Sequence, residues 1–412
     1  MVGYKKMCNF ARNKISDHRP MQKLSLFILS MLLTAATMRA QLHGYDTNFN
    51  YSLRHFVDTI PIEVDHGQIY VTVEMNGRQH RFNLDTGSSQ GVVQQGAPLG
   101  SWRELGNVVS RDAAGHLDTV RVIQLPPFRM GRLTVSDYVA SVFRGPYHRG
   151  DYDAILGFDL FNKGLCCKID ARRGIMVVTD RRDFFDGEPG YGLRYKLKWF
   201  VPYVLVSPFK RHVDEVLFDT GSRQLFAMNK QSFDTHAYKS KNVGSQVEGR
   251  ATGSFAIGHI GAEARDEVVF LKLDRLKWDE FAFTDVRAMT TQGASRIGAK
   301  IFDYGTVTIN GFRRKITFQP YDDNDSVAVN NRLPHIAYVP RQGRPTVGLI
   351  LEDCDEYRAG LRQGDTIVSI DGKTVNTFDD FLSYPFIEGR THRMVVRSLD
   401  GKQKAVAYTR KS

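Results

Sequence analysis

The sequence predicts a mainly β fold made of two similar halves and followed by a small α+β module. Three features carry that expectation. The tetrapeptide Asp85-Thr86-Gly87-Ser88 recurs as Asp219-Thr220-Gly221-Ser222, and each copy follows an apolar stretch, Phe82-Asn83-Leu84 in the first and Val216-Leu217-Phe218 in the second. A strand, turn and strand pattern precedes each copy. An apolar-Gly motif and two further strand-like runs follow each copy at similar spacing, so the halves read as a long internal repeat.

Residues 1–40 carry seven Lys or Arg against Asp17, which is more than half of the chain's net charge of +11. The apolar run at 24–33 is too short to span a bilayer comfortably, and small residues follow it up to Ala40. This reads as an export signal cleaved after Ala40. Cleavage nearer Ala36 and retention as an uncleaved anchor are the alternatives, and a start at Met21 would make 1–20 an upstream mis-start. The mature protein is expected in the periplasm or outside the cell, in the manner of a Gram-negative bacterium, with no membrane span after cleavage. No cysteine follows the apolar run, which argues against a lipoprotein. The rest of the chain is mildly basic without a Lys/Arg block suited to phosphate tracking, so no nucleic-acid partner is expected.

Residues 41–65 are too short for a full propeptide and are expected to supply an edge strand. The run from Gln68 to Met75 alternates, turns at Asn76-Gly77 and returns through His80-Arg81-Phe82-Asn83-Leu84, a hairpin that delivers Asp85. Tyr203-Val204-Leu205-Val206-Ser207, a turn between Pro208 and His212, and a return through Val213 to Phe218 deliver Asp219 in the same way. Each aspartate sits where a strand runs out into a tight glycine turn. Two such carboxylates face to face can share one proton and activate a water, because like charges about 3 Å apart cannot both ionise and must titrate as a unit. Ala154-Ile155-Leu156-Gly157 and Ser295-Arg296-Ile297-Gly298 follow their aspartates by roughly seventy to eighty residues. Strands at 168–170 and 174–178, and at 305–309 and 315–318, then complete the two halves.

Asp-Thr-Gly followed by an apolar-apolar-Gly motif at this spacing resembles the retropepsin-like and pepsin-like aspartic proteases, over roughly residues 55–320. The resemblance implies a bilobal β-barrel pseudo-dimer within one chain, with an N-terminal lobe at 41–185 and a C-terminal lobe at 186–320. It implies an aspartic-type endopeptidase, monomeric and acting on a polypeptide substrate. Asp85 and Asp219 would form the catalytic dyad, one as general base toward water and the other as general acid toward the substrate carbonyl. Thr86 and Thr220 would hydrogen-bond across the lobe interface. Gly87 and Gly221 would permit close backbone approach, and Ser88 and Ser222 would bond the outer carboxylate oxygens. Two departures stand out. Arg296 occupies a position where the family prefers an apolar residue, which implies a looser C-terminal lobe. The hairpin tips at 113–116 and 249–253, the flap candidates by position, lack the aromatic residue that pepsins place there.

Residues 321–332 are polar and acidic and read as a linker. Beyond them, a strand at 347–351 is followed by Ala359-Gly360-Leu361-Arg362-Gln363-Gly364-Asp365-Thr366-Ile367-Val368-Ser369-Ile370-Asp371-Gly372. With a helix opening at Phe378 and a strand at 393–397, this resembles the bacterial PDZ domain over 333–412. The resemblance implies peptide binding by strand addition, with 343–348 as the candidate carboxylate loop; a structural or autoregulatory module is the alternative. The modular reading has 333–412 folding independently of a repeat that is complete near Phe318.

Cys166 and Cys167 are adjacent, and Cys8 and Cys354 stand apart, so buried free thiols are expected rather than a disulfide framework. The histidines form no metal-binding spacing and no phosphate loop is present, so neither metal nor cofactor is expected. Two alternatives to the peptidase remain: a catalytically inactive peptide-binding protein on the same fold, and a strand-exchanged homodimer or assembly scaffold.

Overall fold

The computed structural model describes residues 49–65, 67–143, 152–258 and 260–409, so the export signal expected at 1–40 lies outside the described residues. The fold is mainly β, with strands in three sheets and few, short helices. Among the described residues no helix is long and apolar enough to cross a membrane.

The two halves use the same strand pairings. In the first, Gln68–Met75 and Arg78–Leu84 form the expected hairpin, with Asn76 and Gly77 both at positive φ, the conformation its two-residue turn requires. Ala154–Leu156 runs parallel beside Arg78–Leu84 and antiparallel to Gly91–Gln94, which is in turn parallel to Val139–Phe143. In the second, Val201–Phe209 pairs with His212–Asp219, the turn falling at Lys210 and Arg211. Arg296–Gly298 runs parallel beside His212–Asp219 and antiparallel to Phe226–Asn229, which is parallel to Phe281–Thr291. Each half adds a long outer hairpin: Arg103–Arg111 with Leu117–Gln124, and Val247–Gly253 with Asp266–Trp278.

The halves meet in a shared run of strands ordered Tyr191–Arg194, Lys315–Pro320, Gly305–Asn310, Cys166–Asp170, Ile175–Thr179 and Val57–Asp65. Cys166 opposes Asn310 where the two central strands pair. Val57–Asp65, expected at an edge, instead pairs along its first part with Ile175–Thr179 and along its second with Gln68–Met75. Its alternation Ile60, Ile62 places an apolar face in the core on both stretches. Cys166, Cys167 and Cys354 are buried free thiols, and burial pushes the Cys166 thiol up to about 11. The second half closes around Trp278, Phe281, Phe283 and Phe318, all fully buried, with the Phe281 and Phe318 rings 5.0 Å apart; each such side chain contributes about 1.5–3 kcal/mol by burial.

The segment 321–332 is not a free linker. Ser326–Ala328 adds a parallel strand to Phe281–Thr291, and Asn331 exchanges hydrogen bonds with the backbone of Arg287. The C-terminal module that follows has strands Ile336–Arg341, Arg344–Ile350, Thr366–Ile370, Thr391–Arg397 and Gln403–Thr409 around its own core, with Leu361, Ile367, Ile370 and Met394 at its centre. Helix Phe378–Leu382 starts at Thr377, whose hydroxyl and the Asp380 carboxylate form a reciprocal capping box. Residues 343–348, the candidate carboxylate loop, are a tight turn at Gln342 and Gly343 that runs directly into a strand.

Candidate active site

Asp85 follows the last residue of Arg78–Leu84, and Asp219 is the last residue of His212–Asp219. The neighbouring parallel strand fixes each strand end: Asp85 N–H donates to Leu156 O (3.0 Å), and Asp219 is in register with Gly298. Each chain then folds back at once. The N–H of Ser88 donates to Asp85 O (3.2 Å) and that of Ser222 to Asp219 O (3.1 Å). Inside each turn the glycine N–H donates to the aspartate carboxylate, Gly87 to Asp85 Oδ1 at 2.8 Å and Gly221 to Asp219 Oδ1 at 3.1 Å.

The two loops lie against each other. A β-carbon on Gly87 would stand 2.5 Å from Asp219 Oδ1, and one on Gly221 would stand 2.5 Å from Asp85 Cγ. Each carboxylate therefore occupies the space that a side chain on the opposite loop would fill. Only glycine at both positions allows this approach.

The threonines hold the loops together. Thr86 N–H donates to Thr220 Oγ1 and Thr220 N–H donates to Thr86 Oγ1, both at 3.0 Å. Their hydroxyls donate in turn to the carbonyls that precede the opposite aspartates, Thr86 to Phe218 O and Thr220 to Leu84 O, both at 2.6 Å. Both threonines are buried, so four hydrogen bonds cross between the halves where water does not compete. Ser88 and Ser222 hold the loops through their backbone hydrogen bonds. Their carbonyls accept from Phe158 N–H and Ala299 N–H, tying each loop to the turn after the apolar-Gly motif (both 2.8 Å).

All eight sequence-predicted residues thus converge on one locus. Two residues add to it that the sequence did not assign to the site, Arg296 and Gln68. The Arg296 guanidinium is half-buried with Nη1 3.6 Å from Asp219 Oδ2, and its Nη2 donates to Ala113 O at the tip of the opposite half's hairpin (3.4 Å). The second half is not loosened by this residue: Ile297 beside it is fully buried and its strand keeps both neighbours. The side chain simply turns toward the carboxylate. Gln68, which is buried, donates from Nε2 to Gly221 O (2.9 Å), and its Oε1 accepts from Tyr70 and Arg223, so the first half braces the second loop from behind. Asp219 is 6% exposed, so its carboxylate is largely shielded from solvent. Among the described residues no group of three or more His, Cys, Asp or Glu side chains is placed to hold a metal ion.

No family model matches the chain, and no curated protein matches it. Among solved structures it is similar to the crystal structure of Basic 7S globulin from soybean, at 10% identity and a TM-score of 0.41, over 64% of this chain and 94% of that one.

Proposed function

We propose that the chain is an exported aspartic endopeptidase, a bilobal pepsin-like pseudo-dimer in one polypeptide followed by a PDZ-type module. The observation that carries this reading is the reciprocal packing of the two Asp-Thr-Gly loops, each carboxylate seated against the glycine of the other. A water between the carboxylates adds to the substrate carbonyl carbon while one aspartate takes its proton and the other delivers a proton to the carbonyl oxygen. The resulting diol collapses as a proton passes to the departing amine, so water is consumed and no covalent enzyme intermediate forms. The buried threonine bonds serve this chemistry by fixing the carboxylates before substrate arrives, which is the condition for electrostatic preorganisation.

One observation favours a second reading. Arg296 brings a half-buried cation to within 3.6 Å of Asp219, and a dyad that must share a proton works against such a neighbour. On that reading the loops persist as architecture and the protein binds peptides without cutting them. A mixed peptide library incubated with the mature protein, with and without a statine-type inhibitor that mimics the tetrahedral diol, separates the two. Inhibitor-sensitive cleavage supports the peptidase. Peptide capture without cleavage supports the binding protein.

A further inference from the structure

The tip of the first half's outer hairpin does not end in open space. Asp112, 8% exposed, accepts from two of its own turn's amides, Ala114 (3.0 Å) and His116 (2.9 Å), through Oδ1. Its Oδ2 accepts from two amides of the other half, Ile260 (2.9 Å) and Gly261 (3.4 Å). His116 Nε2 pairs with Ala262 O at 2.7 Å, and Ala113 O accepts from Arg296, the residue beside Asp219. The hairpin tip is therefore fastened to the other half and reaches Arg296, the neighbour of Asp219.

The segment that fastens it faces two ways. It is braced at its base by Glu263, 3% exposed, whose carboxylate accepts from Phe255 and Ala256 N–H through one oxygen and from Thr291 and Gln292 through the other. Its opposite face belongs to the C-terminal module. Ile257 packs on the module's core, and Phe255 joins a cluster formed by Val268, Phe270 and Met289 with Ala337 and Leu349 of the module. Ser254 N–H donates to Gly348 O (3.0 Å), and Gln363 Nε2 bridges Thr252 O (2.6 Å) and Gly348 O (2.7 Å).

We propose that the C-terminal module controls access to the carboxylate pair, holding the 112–116 hairpin tip shut through the loop that joins Val247–Gly253 to Asp266–Trp278. The physical basis is a series of direct contacts, from module to loop, from loop to tip and from tip to Arg296. Moving the module shifts Ser254 and Ile257, and the amides that Asp112 needs shift with them. The loop loses its grip and the tip lifts. This goes further than the proposed function, since the catch exists whether or not the carboxylates are active; only its effect on turnover rests on that reading.

Amide hydrogen exchange on the full chain tests it without any substrate. Ile257→Asp expels the loop from the module core, and Gln363→Ala, the milder change, removes one bridging amide. Exchange in Thr391–Arg397 and Gln403–Thr409 reports that the module remains folded. Both variants are expected to raise exchange at Asp112–His116 about tenfold, the scale of losing one or two hydrogen bonds. Combining Ile257→Asp with Asp112→Ala should then add little beyond Asp112→Ala alone, since both act on one catch. Unchanged exchange at the tip in both module-side variants, or additive effects in the pair, overturns the proposal. Peptide hydrolysis is measured alongside: faster cleavage of long over short substrates in the loosened variants extends the catch to catalysis. Loosened tips without hydrolysis in any variant would leave the catch standing and count against the peptidase reading alone.

Discussion

Replacing Thr86 with valine keeps the shape of the side chain and removes one oxygen. That oxygen accepts from Thr220 N–H at 3.0 Å and donates to Phe218 O at 2.6 Å, both in a fully buried setting between the halves. Valine leaves a buried donor and a buried acceptor without their partner, at about 1–3 kcal/mol each, so the substitution is expected to cost roughly 2–6 kcal/mol. Thr86→Ser keeps the hydroxyl and loses one methyl, a cost of about 1 kcal/mol. Urea unfolding followed by tryptophan fluorescence measures both, with the fully buried Trp278 as the reporter in the second half. The valine variant is also expected to lose turnover by on the order of 100-fold, because it frees the two loops to shift by fractions of an ångström. Equal stability of the valine and serine variants would refute the assignment of the cross-bonds as what holds the loops together.

Gly87→Ala and Gly221→Ala place a methyl group 2.5 Å from the opposite carboxylate and are each expected to reduce peptide hydrolysis more than 100-fold, measured as kcat/KM, with the protein still folded by circular dichroism. Asp159 is fully buried, and desolvation pushes its carboxyl up to about 7 despite hydrogen bonds from Tyr138, Leu160 and Gly91. A folded-state value above the unfolded one means stability is greatest in acid, below about 4, and is lost as pH rises through about 7. Wild type is expected to lose on the order of 4 kcal/mol between pH 4 and pH 9 relative to Asp159→Asn, read from urea midpoints at each pH. A flat difference would count against the buried acid.

The hairpins that deliver both aspartates were legible because alternation and an Asn-Gly turn report locally on backbone geometry. The apolar-Gly motifs were legible by repetition. Val57–Asp65 shows its alternation in sequence, yet nothing local says that a strand bends across two partners, so it read as an edge. Ser326–Ala328 is three residues long in a polar stretch and has no periodicity to detect; it exists because Phe281–Thr291 offers an open edge. Arg296 was visible as a charge at an apolar position, but whether it loosens the strand or turns into the site depends on a carboxylate far away in sequence. The grip on Asp112 was least legible of all, since backbone amides of Ile260 and Gly261 make it and any residue supplies those.

Turnover of Asp85→Asn and Asp219→Asn, measured beside wild type on a cleaved peptide with thermal unfolding of the same samples, tests the dyad most directly. Each variant is expected to fall below about a hundredth of wild-type turnover, the scale of an acid/base contribution, while its unfolding temperature stays level or rises as the facing carboxylates are relieved. Turnover above that fraction in a folded variant would contradict the assignment of Asp85 and Asp219 as the catalytic pair.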